Sequence, residues 1–286
     1  RRFSLDFNRQ KFPDSPLTML ASYNIDGNIF TEYGSGSFLV WKFYGVKRAY
    51  IDGSLPDQIY GKDFYDHYIK TGNDRDTIKA DIAKYTIQAF VLPLPTSADD
   101  VVEIYRYLST DPEWRLVYFD DHFLLFVAAA SATTYNIPVF TILNPLLNLE
   151  KPLQEKSALS DTIEQELKLA KARLPDSFNL RALTLVWLWG SNQPIAVKGQ
   201  LDDLAGYCEA KDATAACYQR LVVQLLKYGQ VSRAYQYKNR FTSWFSPSAG
   251  SFMLVGDVEA ATVRFAEAIG TYTRALSLTD NVVEQA

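Results

Sequence analysis

The sequence predicts an α/β domain, built on a mixed and mostly parallel sheet with flanking helices, followed by an all-α domain of helical hairpins. Three observations carry this reading. Strand-like and helix-like segments alternate over the first half, a hairpin pattern closes that half, and from residue 157 onward every apolar stripe repeats at helical spacing. The expected organisation is an α/β domain over 1–135, a linker over 136–156 and a helical domain over 157–286.

The elements follow in order. Asn28–Tyr33 is a short strand, Ser37–Tyr44 a short helix ending at Gly45, and Lys47–Asp52 a second strand. Helices are expected over Lys62–Lys70 and Asp76–Lys84, and the apolar run Ile87–Leu94 reads as a buried strand. Ser97 and Asp100 have capping-box-like spacing ahead of VVEIYRYL. Trp114–Phe119 and Phe123–Ala128 flank the polar turn Asp120, Asp121, His122, as the arms of a hairpin do. Residues 131–156 are rich in Pro, Asn and Thr without helical period. Beyond them, stripes such as Ile163, Leu167, Ala170, Leu174 and Leu201, Leu204, Cys208 mark amphipathic helices. Gly190 and Gly229 are read as C-terminal caps, and helices over Val231–Thr242 and Asp257–Leu276 complete the set.

A chain of 286 residues has length for two cores, and 48% apolar with 22% charged residues is ordinary for a folded protein. A net charge of −4 offers a nucleic acid no electrostatic attraction. The most apolar stretch, from Phe123, is interrupted by Asn136, Pro138 and Asn144 before it is long enough to span a bilayer. The basic start RRFSLDFNRQ has no signal-peptide core, and it is also what would follow a membrane helix. Cys208 and Cys217 flank a turn; they bridge in an oxidising compartment and remain thiols in a reducing one, and the bridge is the preferred reading. Neither a metal nor a cofactor is expected.

Gly34-Ser-Gly36 follows a strand and opens a helix, and Asp52 ends the next strand 18 residues after Gly34. A dinucleotide site uses glycines to bring backbone amides to a pyrophosphate and an acid to hold the ribose. Three features oppose that reading. Leu39 stands at the third glycine position, the strand NIFTEY is half polar, and the helix is short and ends in aromatic residues. The glycines are therefore read as a tight turn, with a nucleotide- or sugar-binding enzyme using Gly34, Gly36 and Asp52 as the alternative.

Successive fragments GNIFTEYGSGSFLVWKF, KRAYIDGSLPDQIYG, FYDHYIK and DPEWRLVYFDDHFLLFV fall in an order that resembles a known family. They look like the extracytoplasmic C-terminal domain of bacterial polytopic membrane proteins of the GT-C glycosyltransferase type, relatives of the dolichyl-phosphate-mannose mannosyltransferases. The resemblance spans about residues 10 to 130, through Asn28, Phe30, Tyr33, Trp41, Asp52, Gly53, Tyr60, Tyr68, Asp111, Trp114, Asp120, Asp121 and Phe126. Ser54 departs from it, since the family often has arginine after the IDG, which removes a cation for an acidic ligand. The resemblance implies a soluble, non-catalytic domain on the periplasmic or outer face, tethered by transmembrane helices upstream. Its role would be to bind or position a saccharide or protein partner. GDVEAATVRFAEAIGTYTRAL is similar to the second half of a tetratricopeptide repeat, and Gly229-Gln-Val231 resembles its start Gly256-Asp-Val258, 27 residues on (229 to 256). A helical interaction scaffold is thus a third reading.

The candidate ligand-binding residues are Asp52, Asp57, Tyr33, Trp41 and Tyr60. Carboxylates accept paired hydrogen bonds from vicinal hydroxyls, while turn chemistry accounts for Asp before Gly equally well. Tyr33, Trp41 and Tyr60 would give a sugar or isoprenoid chain a stacking surface, against a plain packing role. Asp120, Asp121 and His122 are read as a solvated turn in preference to a cation site. Trp187, Trp189 and Trp244 are expected to pack helices, with an exposed anchor for a partner as the alternative for Trp244, which sits in the loop-like RFTSWFSPSAG.

Overall fold

In the computed structural model the apolar run IQAFVLP becomes the strand Ile87–Pro93 (β2), with Phe90, Val91 and Leu92 buried in the middle of a sheet. The structure describes residues 12–25, 27–43, 46–52, 61–95, 101–146, 160–174, 177–210, 215–242 and 248–283. The chain divides into two compact units, Arg1–Asn179 and Leu180–Ala286.

In the first unit, β1 (Asn28–Thr31) pairs parallel with β2, and β4 (Phe123–Ala128) pairs antiparallel with both β2 and β3 (Trp114–Phe119). The order is β1-β2-β4-β3. The sheet is mixed as expected, but one parallel and two antiparallel ladders do not make it mostly parallel. The difference lies in Lys47–Asp52, expected as a second parallel strand. It makes one parallel bridge, Ala49 to Ile29, flanked by bonds from Ile29 N to Arg48 O and from Tyr50 N to Ile29 O, both 3.1 Å. Beside a four-residue β1 the ladder goes no further.

Helices surround the sheet: α1 (Asp14–Ser22), α2 (Tyr33–Phe43), α3 (Lys62–Asn73), α4 (Arg75–Tyr85), α5 (Glu103–Thr110), α6 (Ala129–Thr134) and α7 (Ser160–Arg173). Leu17, Leu20, Ile29, Phe30, Leu39, Ile78, Tyr107, Phe119 and Phe126 are buried among them. Ser97 and Asp100 lie outside the described residues; α5 begins at Glu103, after Val102, without a side-chain cap. Within the expected linker, Glu166 of α7 is buried and accepts from the amides of Thr141, Ile142 and Leu143 at 2.7–3.2 Å, so that stretch is fastened to a helix of the same unit.

The glycine turn is corrected. The helix begins four residues earlier than expected, so Gly34 and Gly36 sit in the first turn of α2, and neither has positive φ. Gly36 serves proximity: a Cβ there would lie 2.7 Å from the Asp52 Cα and closer still to the Ile51 carbonyl oxygen. At Gly34 a Cβ would meet only the movable Glu32 carboxylate, at 2.9 Å.

The second unit contains α8 (Phe178–Gly190, its first two residues in the first unit), α9 (Pro194–Ala210), α10 (Ala215–Lys227), α11 (Val231–Thr242), α12 (Ala249–Ala261) and α13 (Phe265–Val283). Three helix-to-helix turns close by one device, a left-handed residue followed by an amide that reaches back five positions. The left-handed residues are Asn192, Gly229 and Val263, and the bonds are Gln193 N to Leu188 O, Gln230 N to Leu225 O and Arg264 N to Glu259 O. They recur at intervals of 37 and 34 residues (192 to 229, 229 to 263). This corrects three expectations. Asn192, and not Gly190, takes the left-handed position; the expected helix Asp257–Leu276 is broken at 262–264; and Gly256 lies inside α12 rather than at a helix start. A Cβ on Gly256 would come 2.7 Å from Cδ1 of Tyr272, so α12 and α13 touch there. Cys208 and Cys217 are joined as a disulfide between α9 and α10. Lys238 and Glu259 form a buried ion pair at 2.8 Å, and Thr271 donates to the same carboxylate at 2.7 Å.

The two glycines of α2 are expected to separate on mutation. Gly36→Ala forces helix and chain apart and lowers unfolding free energy by about 1–3 kcal/mol in urea denaturation followed by circular dichroism. Gly34→Ala leaves it unchanged or raises it slightly, since alanine loses less backbone entropy in a helix. Equal losses at the two positions would contradict the assigned roles.

Candidate functional site at the carboxyl end of the first strand

The chain leaves β1 toward the 46–52 edge on one side, whereas β2 lies on the other side and continues toward β3. Strand order reverses there, and in open α/β sheets the carboxyl ends at such a point form a crevice. The residues that follow β1 are Glu32, Tyr33, Gly34 and Ser35.

Several side chains converge on them. The Tyr33 amide donates to the Tyr68 hydroxyl of α3 at 3.0 Å, and the Tyr33 ring meets Tyr65 edge-on at 6.2 Å. Tyr65 and Tyr68 lie 6.1 Å apart, and Tyr68 stacks on Phe30 of β1 at 5.9 Å. Burial, opposed by the Tyr33 amide and aided by Glu32, pushes the Tyr68 hydroxyl up to about 12, so it stays neutral. Ser35 donates its hydroxyl to Glu32 Oε1 at 3.1 Å and its amide to the Glu32 carbonyl at 3.1 Å. The close approach at Gly36 brings the Asp52 backbone under the same helical turn.

Of the residues expected to bind ligand, Tyr33 and Asp52 are therefore brought together. Trp41 is not with them. It sits eight residues further along α2, about 12 Å up the axis, is 61% exposed, and packs on Phe38 at 5.4 Å. Asp57 and Tyr60 lie outside the described residues, as does Trp244. Glu32, Ser35 and Tyr65 are not singled out in the sequence, and Tyr68 enters there only through the family resemblance; the signal for the tyrosines is a pair at helical spacing. The arrangement suits hydroxyl groups better than phosphate. Two of the first amides of α2 are already engaged, and a carboxylate stands beside them, where an anion would be repelled.

A second polar cluster lies between α3, α4 and the 46–52 edge. Asp81 is 2% exposed and accepts from the Tyr50 hydroxyl at 2.7 Å, the Thr71 hydroxyl at 2.6 Å and His67 Nε2 at 2.9 and 3.0 Å. Burial alone would raise the Asp81 pKa, but the bonds from His67, Thr71 and Tyr50 outweigh it and hold the carboxyl below its ordinary range. Burial also pushes Tyr50 far above the usual phenol range. The available signal was an acid on the apolar stripe Ile78, Asp81, Ile82, Tyr85 of α4.

The turn Asp120-Asp121-His122 is half-buried, and both of its acids are engaged by the protein's own donors. Asp120 accepts from the amides of His122 and Phe123 and from the Tyr118 hydroxyl, each at 2.7 Å. Asp121 accepts from Ser177 Oγ, Phe178 N and Asn179 N at 2.7–3.1 Å. Among the described residues no three His, Cys, Asp or Glu side chains converge as a metal site would require, and no helix is long and apolar enough to cross a membrane. Trp189 is half exposed and meets Tyr228 edge-on at 5.3 Å.

Compared with known proteins, the chain matches no family model, no curated protein and no solved structure at a significant level.

Because folding depresses the Asp81 pKa, its contribution is whole above the ordinary carboxylate range and is lost as pH falls through the depressed folded value. Asp81→Asn is expected to cost about 2–3 kcal/mol near neutral pH and to flatten the acid limb of stability against pH. Urea titrations at stepped pH check this; parallel curves for wild type and variant would count against it.

Proposed function

We propose that this chain is the extracytoplasmic part of a membrane-bound, glycosyltransferase-like protein and that it holds a saccharide for the membrane portion without catalysing transfer itself. The carrying observation is the cluster at the carboxyl end of β1, where Tyr33 and Tyr65 offer ring surface and Glu32, Ser35 and the Asp52 segment offer polar partners. Sugars are bound by that combination: aromatic faces take the C–H surface and carboxylates take adjacent hydroxyls. Two further observations support the reading. The fragments that resemble the GT-C extracytoplasmic domain fall, where described, on β1, α2, the 46–52 edge, α3, β3 and β4 of one unit. The Cys208–Cys217 bridge suits an oxidising compartment outside the cytoplasm. The upstream transmembrane helices of the parent protein would be the permanent partner.

A second reading, a helical scaffold that recruits a protein, is favoured by the turns at 192, 229 and 263. Their spacing is close to the roughly 34 residues of tetratricopeptide-like helix pairs, and Phe265 and Ile269 are exposed on α13.

Titration of the labelled chain with a panel of hexoses and short oligosaccharides, followed by amide NMR shifts, tests the first reading. At least one sugar is expected to shift Tyr33, Ser35, Tyr65 and Asp52 together. Tyr33→Ala or Asp52→Asn should weaken it about tenfold, the loss of one good hydrogen bond or ring contact. Absence of saturable shifts at that strand end across the panel would defeat the proposal.

A further inference from the structure

At the other edge of the sheet, Asp111, Pro112 and the start of β3 line a cavity of about 260 Å³. Its polar wall is formed by Ser109, Arg115, Thr141 and Asn144, and its apolar floor by Leu116 and Phe140. Two groups in this wall keep donor capacity that the described residues do not use. Asn144 is 5% exposed; its Oδ1 accepts from the Leu146 amide at 3.0 Å, while its Nδ2 has no partner among the described residues. Arg115 directs Nη1 to the carbonyls of Pro112 and Trp114 at 2.6 and 2.7 Å, and it forms no ion pair among the described residues. The buried Ser109 hydroxyl behind them also lacks a partner.

The nearby acids do not offset this surplus. Asp111 also lines the cavity, but its Oδ1 takes the Glu113 amide at 3.0 Å and its Oδ2 faces Arg75 at 3.6 Å. The Glu166 carboxylate is filled by the backbone and hydroxyl of residues 141–143. A buried hydroxyl without a partner is costly, and beside it stand an amide Nδ2 and a guanidinium charge that no acid among the described residues offsets. Guanidinium and amide together match the oxygens of a carboxylate or phosphate, which accept several bonds and supply the missing charge.

We propose that this cavity binds the oxyanion group of a small ligand, a phosphate or a carboxylate, with Arg115 as the charge partner and Asn144 Nδ2 as the orienting donor. The site is separate from the β1 end and does not rest on the saccharide reading. Its anion preference follows from donors in surplus, the reverse of the carboxylate-bearing crevice beside α2.

The test is an NMR titration of the intact, oxidised chain in phosphate-free buffer, with inorganic phosphate, glucuronate and glucose as separate probes. Saturable shifts of the Arg115 Nε–H and Asn144 side-chain amide signals with phosphate, glucuronate or both are expected, and glucose should leave them in place. Whichever anion binds more tightly identifies the source of the oxyanion. Arg115→Gln should weaken binding about tenfold or more, the worth of a charge-assisted hydrogen bond, and Arg115→Lys, which keeps the charge and loses the fork, should fall between. Should Arg115→Gln unfold, the wild-type side-chain shifts and Arg115→Lys still decide. The proposal is overturned if neither anion binds saturably, if a folded Arg115→Gln binds equally well, if glucose competes on equal terms, or if the shifts appear at Tyr33 and Tyr65 instead.

Discussion

The contact of Gly36 with Ile51 and Asp52 sets the geometry on which the first unit's candidate site depends. A helix carrying any side chain at that point would stand off from the 46–52 edge. With glycine, the first turn of α2 rests on the backbone of its neighbour, and three things follow. Asp52 is brought beneath the residues that leave β1. The single parallel bridge at Ala49 is enough to hold an edge that has no longer ladder. Tyr33 is placed where its amide meets the Tyr68 hydroxyl of α3. Removing the Cβ trades some helix propensity for close packing, a use of glycine that needs no unusual φ.

The acids of this chain divide by what already satisfies them. Asp81, Asp120, Asp121, Glu166 and Glu259 each accept two or more hydrogen bonds from their own protein. Bonds to a charged group are worth about 1.5–3 kcal/mol each, and most of that is consumed by taking the carboxylate out of water. Their net effect is to fix which segments meet: α3 with α4 through Asp81, residues 141–143 with α7 through Glu166, and α11, α12 and α13 through Glu259. Glu32, which bonds its own helical turn at the surface of the crevice, is of a different kind and suits a hydroxylated ligand.

Legibility in the sequence followed local pattern. The run IQAFVLP and the arms around Asp120–His122 are strands because apolar and β-branched or aromatic residues fill them and a polar turn separates the arms, and the structure places both hairpin arms with the expected bounds. Failures came where tertiary contact overrode the local signal. Glycines near a helix start read as a turn, yet Gly36 answers to Ile51, which is distant in sequence. The break between α12 and α13 uses Val263, a β-branched residue in a left-handed conformation that no turn signal announces. Gly256 therefore looked like a helix start and concealed the 192, 229, 263 register. At the candidate site Tyr33 and Asp52 were visible as an aromatic and an acid at strand ends, but Tyr65 and Tyr68 are joined to them only by the fold.

The proposed function rests on a sheet whose two edges present different chemistry, carboxylate-bearing beside α2 and donor-rich beside β3. Its first part stands on one short approach between backbones. Proton NMR of the folded chain measures that approach directly: the account predicts a strong nuclear Overhauser effect between the Gly36 α-protons and the Asp52 α-proton. A folded chain that lacks this cross-peak while keeping those of the β1–β2 ladder would contradict it.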